Sequence, residues 1–316
     1  MLNLKNKYRS EAISFANPLS ARAWLSLLNA DKYLGLSLKK NIKETNRNKL
    51  GFTFSSNEIG YHGKYNPNAD NVILGTSYAM GFGVDEGCNW YELSEDFLNN
   101  YFNLGMPVSP QNHLNALNQF YEGDYKKLIY IYHPNIWITA LGFYLADELD
   151  MDIFKYKKWR SDYISLIRLV PRWGLKAVRN RVKRFDLTEV VQTVRYKVSS
   201  QYSYYNISNC ESYTYKILEH FKELFNRFDS VKIYRVPIKE QILFLSTSNE
   251  KLRHININYD ALWEIYVDTI TSANPNVQIY DLTTQRYGFD MSDYLPNDTH
   301  WSPSGNQKFY EIIKHD

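Results

Sequence analysis

Apolar positions fall into short compact runs separated by longer mixed stretches. Val72-Ile73-Leu74 forms one such run and reads as a buried strand. Gly75, Gly81 and Gly83 then break the chain into a turn. WYELSEDFLNN, residues 90–100, predicts a helix, and YFNLGMPVSP after it predicts a second short strand ending in a Gly-Met-Pro turn. A helix is expected over 111–121, a strand over 127–133 (KLIYIYH), and a further helical stretch in IWITALGFYLADELD. Further on, VKIYRVPI at 231–238 predicts a strand, 259–272 a helix, and VQIYDLT at 277–283 the last strand. A C-terminal helix is expected from near Pro303. Strands alternating with helices argue for an α/β fold, a three-layer sandwich around a doubly wound parallel sheet.

Two stretches depart from this alternation. Residues 1–50 read as a helical extension closing on the polar NIKETNRNK, after which GFTFSSNEIGYHGKY suggests short extended segments with Gly turns. Residues 151–225 read as mostly helical and rich in Arg and Tyr. The expected division is therefore an extension (1–50), a first core part (51–150), a helical insertion or cap (151–225) and a second core part (226–316).

Composition narrows the classes. A hydrophobic content of 44% over 316 residues suffices for a substantial core. A formal charge of +3 is too small to imply a nucleic-acid partner. The 27 tyrosines would suit sugar-lined clefts, although general enrichment in Asn, Lys and Tyr accounts for them more simply. Cys88 and Cys210 lack metal spacing and form no disulfide framework, though one bridge between them is open. The N-terminal stretch has no apolar signal-like core. The best apolar run, Leu128 to Ala146, is interrupted by His133, Pro134 and Asn135, which argues against a spanning helix. A cytoplasmic location is the default expectation.

Gly75-Thr76-Ser77 places a serine just past a buried strand, at the carboxyl edge where open α/β folds bind ligands. The flanking glycine allows a sharp turn, and the Ser77 N–H could stabilise an oxyanion. A purely structural turn is the alternative. In Asp298-Thr299-His300-Trp301-Ser302-Pro303, Ser302 suits an N-cap and Pro303 a first helical residue. His300 then falls in the loop before a helix, with Asp298 two residues back to hold its tautomer. A capped helix preceded by a surface histidine is the alternative.

These blocks resemble the SGNH hydrolases, also called the GDSL family. That family's G-D-S nucleophile block corresponds to GTSYAMGFGV at 75–84, and its final Asp/His block to DTHWSPSGN at 298–306. SNEIGYHGKY resembles the N-x-x-G-[FY]-[RH]-[GD] stretch that precedes the nucleophile strand in many members. FNLGMPVSP resembles the second block, whose glycine, here Gly105, gives a backbone N–H to the oxyanion hole. The third block, G-x-N-D, corresponds to YHPNIW, which makes Asn135 the third donor, with His133 or a backbone group as substitutes. Thr76 stands where the family has Asp, a residue that supports the turn by hydrogen bonding. Asn297 stands three before His300, so the resemblance implies a D-x-H member with Asp298 as orienting group and Asp293, seven residues away, as a poorer choice.

The resemblance implies nucleophilic acyl transfer: Ser77 attacks an ester carbonyl, His300 takes its proton, and Ser77, Gly105 and Asn135 hold the oxyanion. Related carbohydrate O-acetylesterases and polysaccharide O-acetyltransferases suggest an O-acetyl group on a carbohydrate, with a bacterial surface polysaccharide as one setting. No resident cofactor is expected, and acetyl-CoA would be the donor of a transferase. A catalytically inactive glycan-binding or scaffold protein on the same fold is the second reading, motivated by Thr76 and the weak third block. From Arg168 to Arg184 there are seven basic residues and no acidic one. Arg172, Lys176 and Arg179 among them share a face if helical, and could meet an anionic glycan or the membrane's inner face. A solvated face is the alternative, and Pro171 and Gly174 would bend the helix. No metal-ligand spacing and no P-loop occur.

Overall fold

In a computed structural model of the chain, the structure describes residues 27–31, 33–43, 52–134, 136–137, 140, 211–237, 239, 242, 256–295 and 300–315. Strands β1 (Leu28–Asp31) and β2 (Gly35–Leu38) form an antiparallel hairpin. The chain continues through β3 (Asn71–Gly75), α1 (Glu95–Asn100), β4 (Tyr101–Asn103), α2 (Pro110–Phe120), β5 (Lys127–Tyr132) and α3 (Glu211–Phe225). It ends with β6 (Ser230–Arg235), α4 (Asn256–Ala273), β7 (Val277–Asp281) and α5 (Pro303–His315). The main sheet has five strands, all parallel, in the order β4-β3-β5-β6-β7.

This order reverses direction between β3 and β5, which opens a crevice at their carboxyl ends. The compact strand runs are explained by burial on both faces. Val72, Leu74, Leu128, Tyr130, Val231 and Ile233 face one core, which α2, α3 and α4 cover. Ile73, Ile129, Ile131 and Tyr234 face the other, with Phe97 of α1 and Phe309 and Ile313 of α5. Helices thus cover both faces of the sheet, and the α/β expectation holds.

Several boundaries differ from the sequence reading. The stretch expected to be helical before residue 50 contains the β1–β2 hairpin. Its turn is set by Asp31, whose Oδ1 accepts the N–H groups of Tyr33 and Leu34, both at 2.8 Å, and by Gly35 at φ 74°. Leu28, Leu34, Leu36 and Leu38 join the first core, so this segment packs on the sheet rather than extending from it. The helix expected from residue 90 begins only at Glu95, because Ser94 caps it by accepting the Asp96 N–H. Residues 211–225, expected within the insertion, form α3, which enters β6 and buries Ile217, Phe221 and Phe225 against the sheet. The rest of that region, with Arg172, Lys176 and Arg179, lies outside the described residues.

Among the described residues, several tyrosines serve the interior. Tyr130, Tyr132, Tyr234 and Tyr266 are fully buried in the core rather than lining a cleft. Cys88 is a half-buried free thiol, and Cys210 lies outside the described residues. No helix among the described residues is long and apolar enough to cross a membrane.

Candidate active site

Ser77 follows β3 in the turn that the Gly75 backbone initiates. Gly75 adopts φ 134°, and a Cβ there would lie 2.4 Å from the Ile131 carbonyl oxygen on β5. A glycine is therefore required for the two strands to remain paired where the chain turns. Across residues 76–82 the chain coils tightly: Ala79 N–H bonds the Thr76 carbonyl at 3.0 Å and Phe82 N–H bonds the Ser77 carbonyl at 3.1 Å.

Three successive carbonyls of this turn are each held by a buried side chain from a different segment. Trp90 Nε1 donates to the Tyr78 oxygen at 3.0 Å, and Asn103 Nδ2 to the Ala79 oxygen at 2.9 Å. His62 Nδ1 contacts the Met80 oxygen at 2.7 Å. The carbonyl end of the turn is thereby fixed, while the Ser77 N–H at its other end meets no acceptor among the described residues. That leaves a backbone donor beside the Ser77 hydroxyl.

His300 arrives from the loop before α5. Tyr294 and Trp301 form an antiparallel bridge, and the Leu295 N–H donates to the His300 carbonyl at 2.9 Å. Ser302 Oγ accepts the Gly305 N–H at 3.3 Å, capping α5 as expected. Trp301 is buried against Tyr78, Phe289 and Phe309. Lys239 Nζ holds the Leu295 carbonyl at 2.6 Å. The result is a base loop anchored on both sides. Its imidazole Nε2 lies 2.6 Å from Ser77 Oγ, although the two residues are 223 positions apart.

The surroundings of this pair are aromatic. The His300 ring packs 4.7 Å from Phe82 and 5.2 Å from Tyr78. Gly83 runs beside it, where a Cβ would meet Leu295 at 2.7 Å and His300 Cβ at 3.4 Å. His133, just past β5, stacks on Tyr78 with ring centroids 5.0 Å apart. Burial, reinforced by the nearby His300 charge, pulls the His133 pKa down to about 3, so this ring is neutral beside the reacting pair.

The remaining expected residues divide. Asp298 and Asn135 lie outside the described residues. Asp293 does not orient His300: its buried carboxylate binds Lys308 Nζ at 2.5 Å and the Asp290 N–H at 2.9 Å. The Gly105 N–H, expected in the oxyanion hole, is already donated to Asn103 Oδ1 at 2.8 Å. Gly105 instead permits close approach, since a Cβ there would lie 2.7 Å from Ala79 Cβ and 2.9 Å from the Met80 nitrogen. Thr76 was expected to support the turn in place of Asp, yet its buried hydroxyl has no partner among the described residues. No cluster of His, Cys, Asp or Glu fit to hold a metal ion occurs among the described residues.

Sequence reasoning missed Trp90, Asn103 and His62 as supports of the nucleophile turn. Asn103 carried a usable signal, a polar residue inside the otherwise apolar run YFNL. Compared with models of known families and with curated proteins, the chain matches none.

Proposed function

We propose that this chain is a serine-dependent acyl-ester enzyme of the SGNH type, which removes or transfers an O-acetyl group on a carbohydrate. The observation that carries the reading is the 2.6 Å contact between Ser77 Oγ and His300 Nε2. Support also comes from its place at the carboxyl ends of β3 and β5, where the strand order reverses. In this reading His300 Nε2 takes the Ser77 proton as Oγ attacks the ester carbonyl. The Ser77 N–H stabilises the resulting oxyanion, with Asn135 as a further donor. His300 then returns the proton to the leaving oxygen, and an acetyl-Ser77 ester remains. Water or a sugar hydroxyl, deprotonated by His300, attacks that ester and regenerates Ser77. Asp298 holds the imidazole in the required tautomer. The carbohydrate rests on family resemblance, with Arg172, Lys176 and Arg179 as contacts for an anionic acceptor.

The committed Gly105 N–H and the unpartnered Thr76 hydroxyl favour a second reading, an inactive binding protein on the same fold. One experiment separates the two. A fluorophosphonate probe should label Ser77, and a chromogenic acetate ester should be hydrolysed. Ser77→Ala should abolish the labelling and lower turnover by at least about a thousandfold. A wild-type chain that neither labels nor hydrolyses the ester supports the binding protein. Acetyl-CoA supplied with candidate glycans, read by mass spectrometry, divides transferase from esterase.

A further inference from the structure

We infer that the nucleophile turn carries its own clamp for the base: Tyr78 and Phe82 hold the plane of the His300 imidazole while its Nε2 meets Ser77. The kinetic half of this inference rests on the acyl-transfer reading; the clamp itself does not.

A single hydrogen bond does not fix a ring. The 2.6 Å contact with Ser77 Oγ ties down one corner of the imidazole. The outer torsion of a histidine side chain is broad and roughly twofold, so rotamer preference leaves the ring plane open. Packing has to close it. The Phe82 ring meets the imidazole with centroids 4.7 Å apart and planes inclined at 61°. Tyr78 meets it at 5.2 Å and 37°. Both rings belong to the turn that presents Ser77. Gly83, next along that turn, lies against the root of the same side chain, since a Cβ there would stand 3.4 Å from His300 Cβ. Turning the imidazole out of its plane therefore means displacing part of the nucleophile turn.

Both clamp rings are themselves braced. Tyr78 is buried, stacks on His133 at 5.0 Å and meets Trp301 edge-on at 4.9 Å. Trp301 follows His300 in the chain, so two consecutive residues of the base loop rest on one ring. Phe82 is half-buried, and Phe52 backs it edge-on at 5.0 Å. The Phe82 backbone is tied to the nucleophile itself, its N–H donating to the Ser77 carbonyl at 3.1 Å. Ser77 and the surfaces that orient its base thus belong to one short segment, and a shift of that segment carries both together. A productive constellation needs such side chains, locked by their own packing. Tyr78 and Phe82 act through His300, so they are positioning residues.

Two readouts test this, and Phe82 is the residue to change, because a half-buried ring can be replaced with least disturbance to the core. In protein carrying 13C-labelled histidine, relaxation of the His300 ring should give an order parameter like that of rigid backbone, about 0.85. The resonance is assigned by its loss in His300→Gln. Phe82→Ala should lower that order parameter, and Phe82→Tyr, which restores a ring, should bring it back. A mobile ring in the wild-type chain, a ring equally rigid in Phe82→Ala, or one as mobile in Phe82→Tyr as in Phe82→Ala overturns the clamp. For the reaction, Phe82→Ala should lower kcat for an acetate ester about ten- to a hundredfold with KM within about twofold, as an ångström-scale misplacement would. Phe82→Tyr should recover most of that loss. Unchanged kcat in a folded Phe82→Ala chain overturns the positioning role. Should Phe82→Ala not fold, Phe82→Leu, which fills much of the space without a flat face, takes its place in both measurements and is read by the same outcomes. Because ring order is measured without substrate, an inert Ser77 would defeat the acyl-transfer reading and leave the clamp standing.

Discussion

At Gly75 the absence of one methyl group decides whether the nucleophile turn can exist. The φ of 134° and the 2.4 Å approach to the Ile131 oxygen leave no room for a side chain. Gly75→Ala should therefore destabilise the chain by roughly 2–4 kcal/mol, combining backbone strain with overpacking against a paired strand. A urea titration reads this as a lower midpoint, and an unchanged midpoint would show that the turn relaxes. The need for glycine was legible in the sequence, because a run of apolar residues ending in Gly-x-Ser signals a strand and its turn. The function of Gly105 was not. Its neighbours in sequence announce a turn, but Ala79 and Met80, which it packs against, belong to a different strand's exit.

Among the elements, α5 does more than follow the candidate base. Asn306, in its first turns, accepts the Trp90 N–H at 3.1 Å and donates to the Ser302 carbonyl at 3.0 Å. Trp90 in turn holds the Tyr78 carbonyl beside Ser77. The helix carrying His300 at its head is thus tied to the turn carrying Ser77 by two buried hydrogen bonds in series. Asn306→Ala leaves the Trp90 N–H buried and unpaired, which costs about 1–3 kcal/mol. It should also slow fluorophosphonate labelling of Ser77, measured at equal folded fraction. A loss of stability with no change in labelling rate would confine Asn306 to a structural role. The start of α5 was readable from Ser302 and Pro303, because capping chemistry is local. The helix expected from residue 90 was not, because that stretch is drawn into turns, where Asn89 and Glu92 bond each other and Trp90 reaches the Tyr78 carbonyl.

The molecule as a whole should be sensitive to acid. Two buried histidines have folded pKa values well below the ordinary 6.5. Burial lowers His113 to about 4, and burial with the His300 charge lowers His133 to about 3. The unfolded chain takes up these protons as pH falls below 6.5, while the folded chain refuses them. Stability therefore declines from pH 6.5 downward, until the folded histidines also titrate. Each contributes a loss of about 1.4 kcal/mol per pH unit in that window. Urea midpoints measured from pH 7 to 4.5 should fall steadily, and His133→Phe should flatten the slope by about half. A slope unchanged by that substitution would mean that His133 is not buried neutral. Both rings lie on opposite sides of the β3–β5 pair, so acid would loosen the sheet where the site sits.

The sequence by itself determined the alternation of strands and helices, the glycine turn after β3 and the capped start of α5. Each of these is encoded in residues close together along the chain, where periodicity and capping act. Only the tertiary structure decided that β1 and β2 form a hairpin on the core, that Asp293 serves Lys308, and that three distant side chains grip the carbonyls behind Ser77. These depend on groups meeting within about 3 Å, which strand order and packing bring about and linear spacing does not record.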